Sequence, residues 1–296
     1  MPALCDAHVH FFSHNFFSAL AKQKGCAVSG LQPQLGWVLP GPDPEDLAAH
    51  WIAELDRNGV SEACLIASIP GDEASVLAAV RAYPGRFHGY ALFDPKASDA
   101  LSRAEEALGS GLQGICLFPA MHGYSVHDAC AVSLMELAAS KPGTVVFVHC
   151  GVLSIGVRKK LGLPSYFDMR YSNPIDLHAV ALRFPTVPFL IPHFGAGYLR
   201  EALMVCDLCP NVYLDTSSSN SWMRYEGLSL KDLFARALDV AGPQRLLFGS
   251  DSSFFPRGWH SSIYGQQARA LEELGVGAED RAAIFGGNFG RLLRKA

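Results

Sequence analysis

The chain carries little charge for its length: 18% of its 296 residues are Asp, Glu, Lys or Arg, against 49% hydrophobic. That balance excludes a disordered chain, which stays open through high charge and low hydrophobicity. Basic runs are scarce as well. The longest is Arg158-Lys159-Lys160 and the formal net charge is -4, so the electrostatic footprint of a nucleic-acid binder is missing. No apolar stretch approaches the roughly 20 residues of a membrane-spanning helix. The N-terminus leads into a polar, His-bearing segment rather than a signal-peptide core, which predicts a cytoplasmic protein with no membrane partner. No second C-x-x-C accompanies Cys206 and Cys209, and the 8 scattered cysteines suit a reduced compartment better than a disulfide framework. The lone pair, on an apolar segment, reads as buried thiols. A G-x-G-x-x-G after an early strand is also absent; Gly286, Gly287 and Gly290 lie near the C-terminus, where they read as helix punctuation.

What is present is a repeated alternation of short apolar strands and amphipathic helices, the pattern of an α/β fold. Strands are expected at Ala3 to His10, Glu62 to Ser68, Phe87 to Phe93, Gln113 to Phe118, Thr144 to His149, Val187 to His193, Asn211 to Asp215 and Arg245 to Ser250. Thr144 to His149 is almost wholly apolar and β-branched, as in a parallel strand buried on both faces. Helical stretches rich in Ala and Leu lie between the strands; the first runs from Pro44 to Arg57 and the last from Ile284 to Leu293. A long Gly- and Pro-bearing loop insertion, about 11–43, separates the first strand from its helix. Such barrels run to about 250 residues or more as one domain, so residues 1–296 are read as a single (β/α)8 TIM barrel.

Periodicity alone would also suit an open doubly wound sheet, and the placement of polar residues decides for the barrel. His8 and His10 end the first strand, His149 the fifth and His193 the sixth, and Asp251 follows the eighth. Barrel active sites gather at these C-terminal strand ends. His8 and His10, two apart on a strand, point the same way and form a two-imidazole clamp. Imidazole and carboxylate together suit zinc, manganese or iron, and His149 and Asp251 would complete the set from across the barrel. His14 and His260 fall on loops near the mouth in supporting positions, and His50, His88, His122, His127 and His178 read as structural.

The motifs Asp6-Ala7-His8-Val9-His10, Val148-His149-Cys150-Gly151, Pro192-His193-Phe194-Gly195, Phe248-Gly249-Ser250-Asp251 and Phe285-Gly286-Gly287-Asn288 occur in this order over nearly the whole chain. As a set they resemble the amidohydrolase superfamily, and within it the amidohydrolase-2 branch of aminocarboxymuconate-semialdehyde decarboxylase-like metal-dependent hydrolases. The resemblance implies that His8, His10, His149 and Asp251 bind one divalent metal ion, usually zinc. It further implies that His193, beside the metal-bound water, is the general base and later the acid, with His193 and Asp251 as catalytic residues. Two departures from the pattern matter. Binuclear relatives carry a strand-four lysine that bridges two metals, whereas Gly114-Ile115-Cys116-Leu117-Phe118 offers none, which points to one metal; Cys116 reads as a core thiol rather than a substitute ligand. The Glu-x-His opening of some decarboxylating members is replaced by His8.

Substrate contacts are sought on the loops. Phe11, Phe12, Phe16 and Phe17 have near-helical spacing and suit an apolar wall or core packing. Among the loop cations Arg158, Lys159, Lys160, Arg170 and Arg257, Arg170 and Arg257 stand out beside Tyr171 and Trp259, where a guanidinium could fork onto a carboxylate. Asp215, Ser217 and Ser218 end strand seven and could orient a ligand or a histidine. The substrate contacts expected are therefore Phe12, Arg170, Tyr171, Ser217, Arg257 and Trp259. The leading reading is hydrolysis, with metal-bound hydroxide attacking an amide, lactone or related carbonyl of a small, carboxylate-bearing substrate. Non-oxidative decarboxylation of an unsaturated or aromatic acid is the alternative, and a non-catalytic binding barrel the third. The expected partner is a small-molecule substrate, and the resemblance suits a homodimer.

Overall fold

The computed structural model describes residues 3–217 and 222–293. Eight strands pair in chain order, each parallel to the next: β1 Leu4–Phe11, β2 Val60–Ala67, β3 Phe87–Phe93, β4 Gly114–Leu117, β5 Val145–Val148, β6 Phe189–Ile191, β7 Val212–Asp215 and β8 Leu246–Leu247. The barrel closes where β1 meets the segment after β8, through Ala7 N–H to the Phe248 carbonyl (2.8 Å), His10 N–H to the Ser252 carbonyl (2.7 Å) and Asp251 N–H to the His8 carbonyl (3.0 Å).

The inside of the barrel is packed by Cys5, Ala7, Cys64, Ile66, Tyr90, Phe147, Leu190 and Leu247. A larger apolar layer, with Val9, Leu65, Phe93, Val146, Phe189 and Leu214, lies between the strands and the surrounding helices. One of those helices shows how the sequence sets the layer. Asp43 caps it by accepting from Glu45 N–H at 2.9 Å, Pro44 opens it, and Leu47, Ala48, Trp51 and Leu55 turn one buried stripe inward.

The segment read as a loop insertion at 11–43 is largely structured. Helix α1 covers His14–Lys24; Ser13 caps it by accepting from Phe16 N–H at 3.1 Å, and Gly25 ends it in the left-handed conformation. Phe16, Phe17, Leu20, Leu31, Leu35 and Trp37 from this segment pack with Val157 and Leu161 from the β5 loop in a small core of their own. Phe16 and Phe17 therefore take their helical spacing from an actual helix.

β1 departs from a regular strand at the residues that matter. Asp6 pairs with Ala63 and Val9 with Leu65, so β1 spends one more residue than β2 over that stretch. Cys5 and Ala7 face the barrel interior while Val9 and Phe11 join the outer layer, so the bulge changes the side-chain parity between them. That change lets His8 and His10 share the inner, C-terminal mouth. No helix among the described residues is long and apolar enough to cross a membrane.

Candidate active site

His8, His10 and Asp251 converge at the mouth, with one potential ligand atom from each lying within 4.8 Å of the others. The Nε2 atoms of His8 and His10 stand 3.3 Å apart, and the Asp251 carboxylate is 3.8 Å from His8 Nε2 and 3.5 Å from His10 Nε2. Asp251 has φ 55°, a left-handed value that a side chain adopts only under constraint; its N–H bond to the His8 carbonyl supplies one.

The partners of the other ring nitrogens decide where the protons lie. His8 Nδ1 is 2.6 Å from Asp215 Oδ2, and a carboxylate can only accept, so Nδ1 carries the hydrogen. Ser68 Oγ donates to the Ile66 carbonyl at 3.0 Å and therefore accepts from His10 Nδ1 at 2.9 Å. His193 Nδ1 donates to the Ser217 carbonyl at 2.8 Å. In its neutral form each of the three rings thus carries its free lone pair on Nε2, turned away from these anchors.

Ser217 ties two of the rings together. Its Oγ is 2.9 Å from His8 Nδ1 and 3.0 Å from His193 Nδ1, and its N–H donates to Asp215. Ser217 is buried and meets protein groups, not the cavity, so its expected place as a substrate contact is not where the structure puts it. Gly249 makes this packing feasible: a Cβ there would fall 2.7 Å from Asp215 Oδ1 and 2.9 Å from His8 Cβ. Ser218 lies outside the described residues.

Burial opposes charge on His8, yet the Asp215 carboxylate outweighs it and raises the pKa above the usual histidine value. Asp215 likewise pays for burial but is held low by His8. Burial, followed by the charge of His8, pushes His10 down to about 3. Burial also depresses His193, and it drives His149 well below the usual range, with His193 adding to the effect. The centre therefore favours positive charge at one point while its outer imidazoles stay neutral.

His149 stands apart from the close trio. Its ring stacks on Phe118 at 5.0 Å and meets His193 edge-on at 5.3 Å, and its buried Nδ1 has no hydrogen-bond partner. An unpaired buried nitrogen on the wall of this cavity suits a ligand still to be bound. The three converging acceptors and this fourth, unpartnered one fit a divalent cation by donor type. Cys116 is buried inside the barrel, and burial raises its thiol pKa far above the ordinary value, which disfavours the thiolate a metal would need.

A cavity of about 640 Å³ opens over these residues. His10, His149, His193 and Asp251 line it, with Phe12, Phe16, Trp37 and Phe254 along an apolar side and Lys160, Arg224 and Arg257 among its polar lining. Phe12 and Arg257 thus reach the cavity, whereas three other expected contacts do not. Arg170 is 82% exposed in its side chain and pairs with Asp168 at 2.5 Å, drawn to the nearest carboxylate rather than to the mouth; Tyr171 stays beside it. Trp259 is buried, its Nε1–H donating to Asp6 at 2.7 Å, because an indole in the core must place its one hydrogen on an acceptor. His14 and His260 do not line the cavity either.

Sequence reasoning missed Ser68 and Asp6. Ser68 was visible only as the last, polar residue of an apolar strand. Asp6 accepts from His8 N–H and Ser250 N–H, each at 3.0 Å, besides Ser250 Oγ and Trp259, and burial raises its pKa to about 6 against these hydrogen bonds. It binds β1 to the segment after β8 directly beneath His8.

Several solved structures share the fold. A TIM-barrel protein from Bordetella bronchiseptica superposes with a TM-score of 0.69 at 20% identity, covering 99% of this chain and 98% of its own. A probable 2-pyrone-4,6-dicarboxylic acid hydrolase from Acinetobacter baumannii, with citric acid bound, gives 0.63 at 16% identity over 99% and 100%. A zinc-bound amidohydrolase from Burkholderia multivorans gives 0.62 at 20% over 99% of both chains. Protein fluG of Emericella nidulans is 31% identical over 85 residues, 29% of this chain, so the match spans a tenth of that curated relative's length. The family model described as amidohydrolase matches residues 5–295, and on that match the chain belongs to the amidohydrolase family, a family of metal-dependent hydrolases.

Proposed function

We propose that the protein hydrolyses a lactone, amide or related carbonyl compound bearing a carboxylate, using one divalent cation, zinc by preference. The observation that carries this reading is the meeting of His8, His10 and the Asp251 carboxylate, one ligand atom from each within 4.8 Å of the others, at a point where His8 already favours positive charge. His8, His10 and Asp251 would hold the cation, with His149 turning its free Nδ1 to the same task. A cation held there lowers the pKa of water toward about 7 and polarises a carbonyl oxygen.

The protein's own groups do the rest. Asp215 and Ser68 fix the rings of His8 and His10 through their Nδ1 hydrogens. His193 has a free Nε2, a depressed pKa and an Nδ1–H held by the Ser217 carbonyl, so it can take a proton at Nε2 and return it to a leaving group. Phe12, Phe16, Trp37 and Phe254 keep one side of the site apolar, which excludes water there. The carboxylate on the substrate is inferred from charge: Lys160, Arg224 and Arg257 line the cavity, where Asp251 is the one carboxylate among the described residues. The diacid named for the Acinetobacter baumannii neighbour is consistent with such a substrate.

Incubating zinc-loaded protein with a panel of lactones, amides and unsaturated acids, scored for acid release and for carbon dioxide, tests the reading. Acid release lost in Asp251→Asn supports it. Carbon dioxide as the main product would transfer the same site to decarboxylation.

A further inference from the structure

Arg257 has a fixed head with an unused edge. Its Nη2 donates to the Asp251 carbonyl at 3.1 Å and to Ser253 Oγ at 3.0 Å, and its guanidinium carbon sits 4.5 Å over the Phe254 ring. Phe254 is itself pinned, stacked on Trp37 at 3.8 Å. The neighbouring Asp251 carboxylate faces His8 and His10, no carboxylate among the described residues forms an ion pair with Arg257, and its hydrogen bonds there come from Nη2 alone, leaving Nε and Nη1 without a protein acceptor. A guanidinium immobilised on one side and open on the other is preorganised to fork onto a carboxylate, because little side-chain entropy remains to be lost.

Its attachment point gives the second part of the argument. The carbonyl that holds Arg257 belongs to Asp251, whose carboxylate is one of the three converging ligand groups. The guanidinium head and one member of the candidate metal set, Asp251, therefore hang from one short segment, Asp251 to Arg257, and are tied to each other by that hydrogen bond. We propose that Arg257 is a specificity-determining anchor that grips a substrate carboxylate at a set reach from the metal centre. The site would then select acids by length, with the carboxylate at one end and the carbonyl under attack at the other. This inference rests on the metal-centre reading above, and it adds a measure of substrate size that the charge of the cavity alone does not give.

Straight-chain diacids test the reach, since each can place one carboxylate on the cation and the other on Arg257. Zinc-loaded protein is titrated calorimetrically with malonate, succinate, glutarate and adipate, and with acetate as the one-ended control. Affinity is expected to peak at one chain length. Arg257→Gln should abolish the peak and weaken the best diacid by about tenfold or more, while acetate affinity and zinc content stay unchanged; Arg257→Lys should recover only part, since it restores charge without the fork. A flat series in the wild type, superimposable series in wild type and Arg257→Gln, or no diacid binding at millimolar concentration would each overturn the anchor. Failure to take up zinc counts against the metal reading instead. In that case the metal-free wild type should still bind the diacids more tightly than Arg257→Gln does, and equal binding would overturn the anchor as well.

Discussion

At the residue scale, the site separates groups that would hold a cation from groups that aim them. His8→Ala and Asp251→Ala each remove one of three converging ligand atoms. Elemental analysis should find about one metal per wild-type chain and a loss in both variants, as expected where three to four protein ligands complete a site. Full metal retention in both would refute the assignment. Asp215→Asn keeps the shape but offers His8 Nδ1 a neutral partner, so metal affinity should fall by about 10–100-fold, read in a competition titration with a chelator. Ser217→Ala should leave metal content near normal, because Asp215 still holds His8. It should lower turnover, because the hydroxyl that links His8 to His193 is gone. Unchanged turnover would reduce Ser217 to a packing residue.

At the scale of elements, α1 depends on one cap that reaches beyond the helix. Ser13 Oγ accepts from Phe16 N–H and donates to the buried Asp72 at 2.5 Å, while Asn15 also reaches Asp72 at 2.8 Å. Ser13→Ala should therefore cost about 1–2 kcal/mol, measured by denaturant unfolding, with faster amide exchange concentrated in α1 rather than in the strands. Much of the element order was legible in the sequence. β3 and the helix from Pro44 to Arg57 lie at the residues read for them: β3 is an apolar run buried along its whole length, and the helix has one buried stripe and opens on the Asp43 cap and Pro44. α1 was hidden because Phe16, Phe17 and Leu20 bury against a distant β5 loop, a partner that local pattern cannot reveal. The apolar run predicts a sixth strand reaching His193, but β6 ends at Ile191: Pro192 follows, and His193 and Phe194 take φ values of 57° and 52°, a left-handed turn that apolar periodicity does not encode. The site histidines could be placed at strand ends from alternation, yet the bulge that turns His8 inward could not. Nor could the capture of Trp259 by Asp6 and of Arg170 by Asp168, since both depend on contacts that only the folded chain supplies.

At the scale of the whole molecule, the candidate metal ligands lie across the seam that closes the barrel. His8 and His10 stand on β1 and Asp251 on the segment after β8, while β8 itself contributes only Leu246 and Leu247 to the sheet. The seam is thus short in backbone pairing, and Asp6, by accepting from Ser250 and Trp259, supplements it. A cation drawing on both sides would act as a further cross-link, stabilising the folded state by RT ln(1 + [L]/Kd), about 4 kcal/mol at a thousandfold excess over Kd. Adding zinc to metal-free protein should therefore raise Tm in the wild type, with little change in Asp251→Ala. The gain should also be local. The amides of Ala7, His10 and Asp251, whose hydrogen bonds cross the seam, should exchange more slowly with zinc, whereas the β3–β4 and β4–β5 ladders on the far side should change little. Protection that rose uniformly around the barrel would mean that the cation stabilises the fold without stapling the seam, and a Tm rise retained by Asp251→Ala would place it elsewhere.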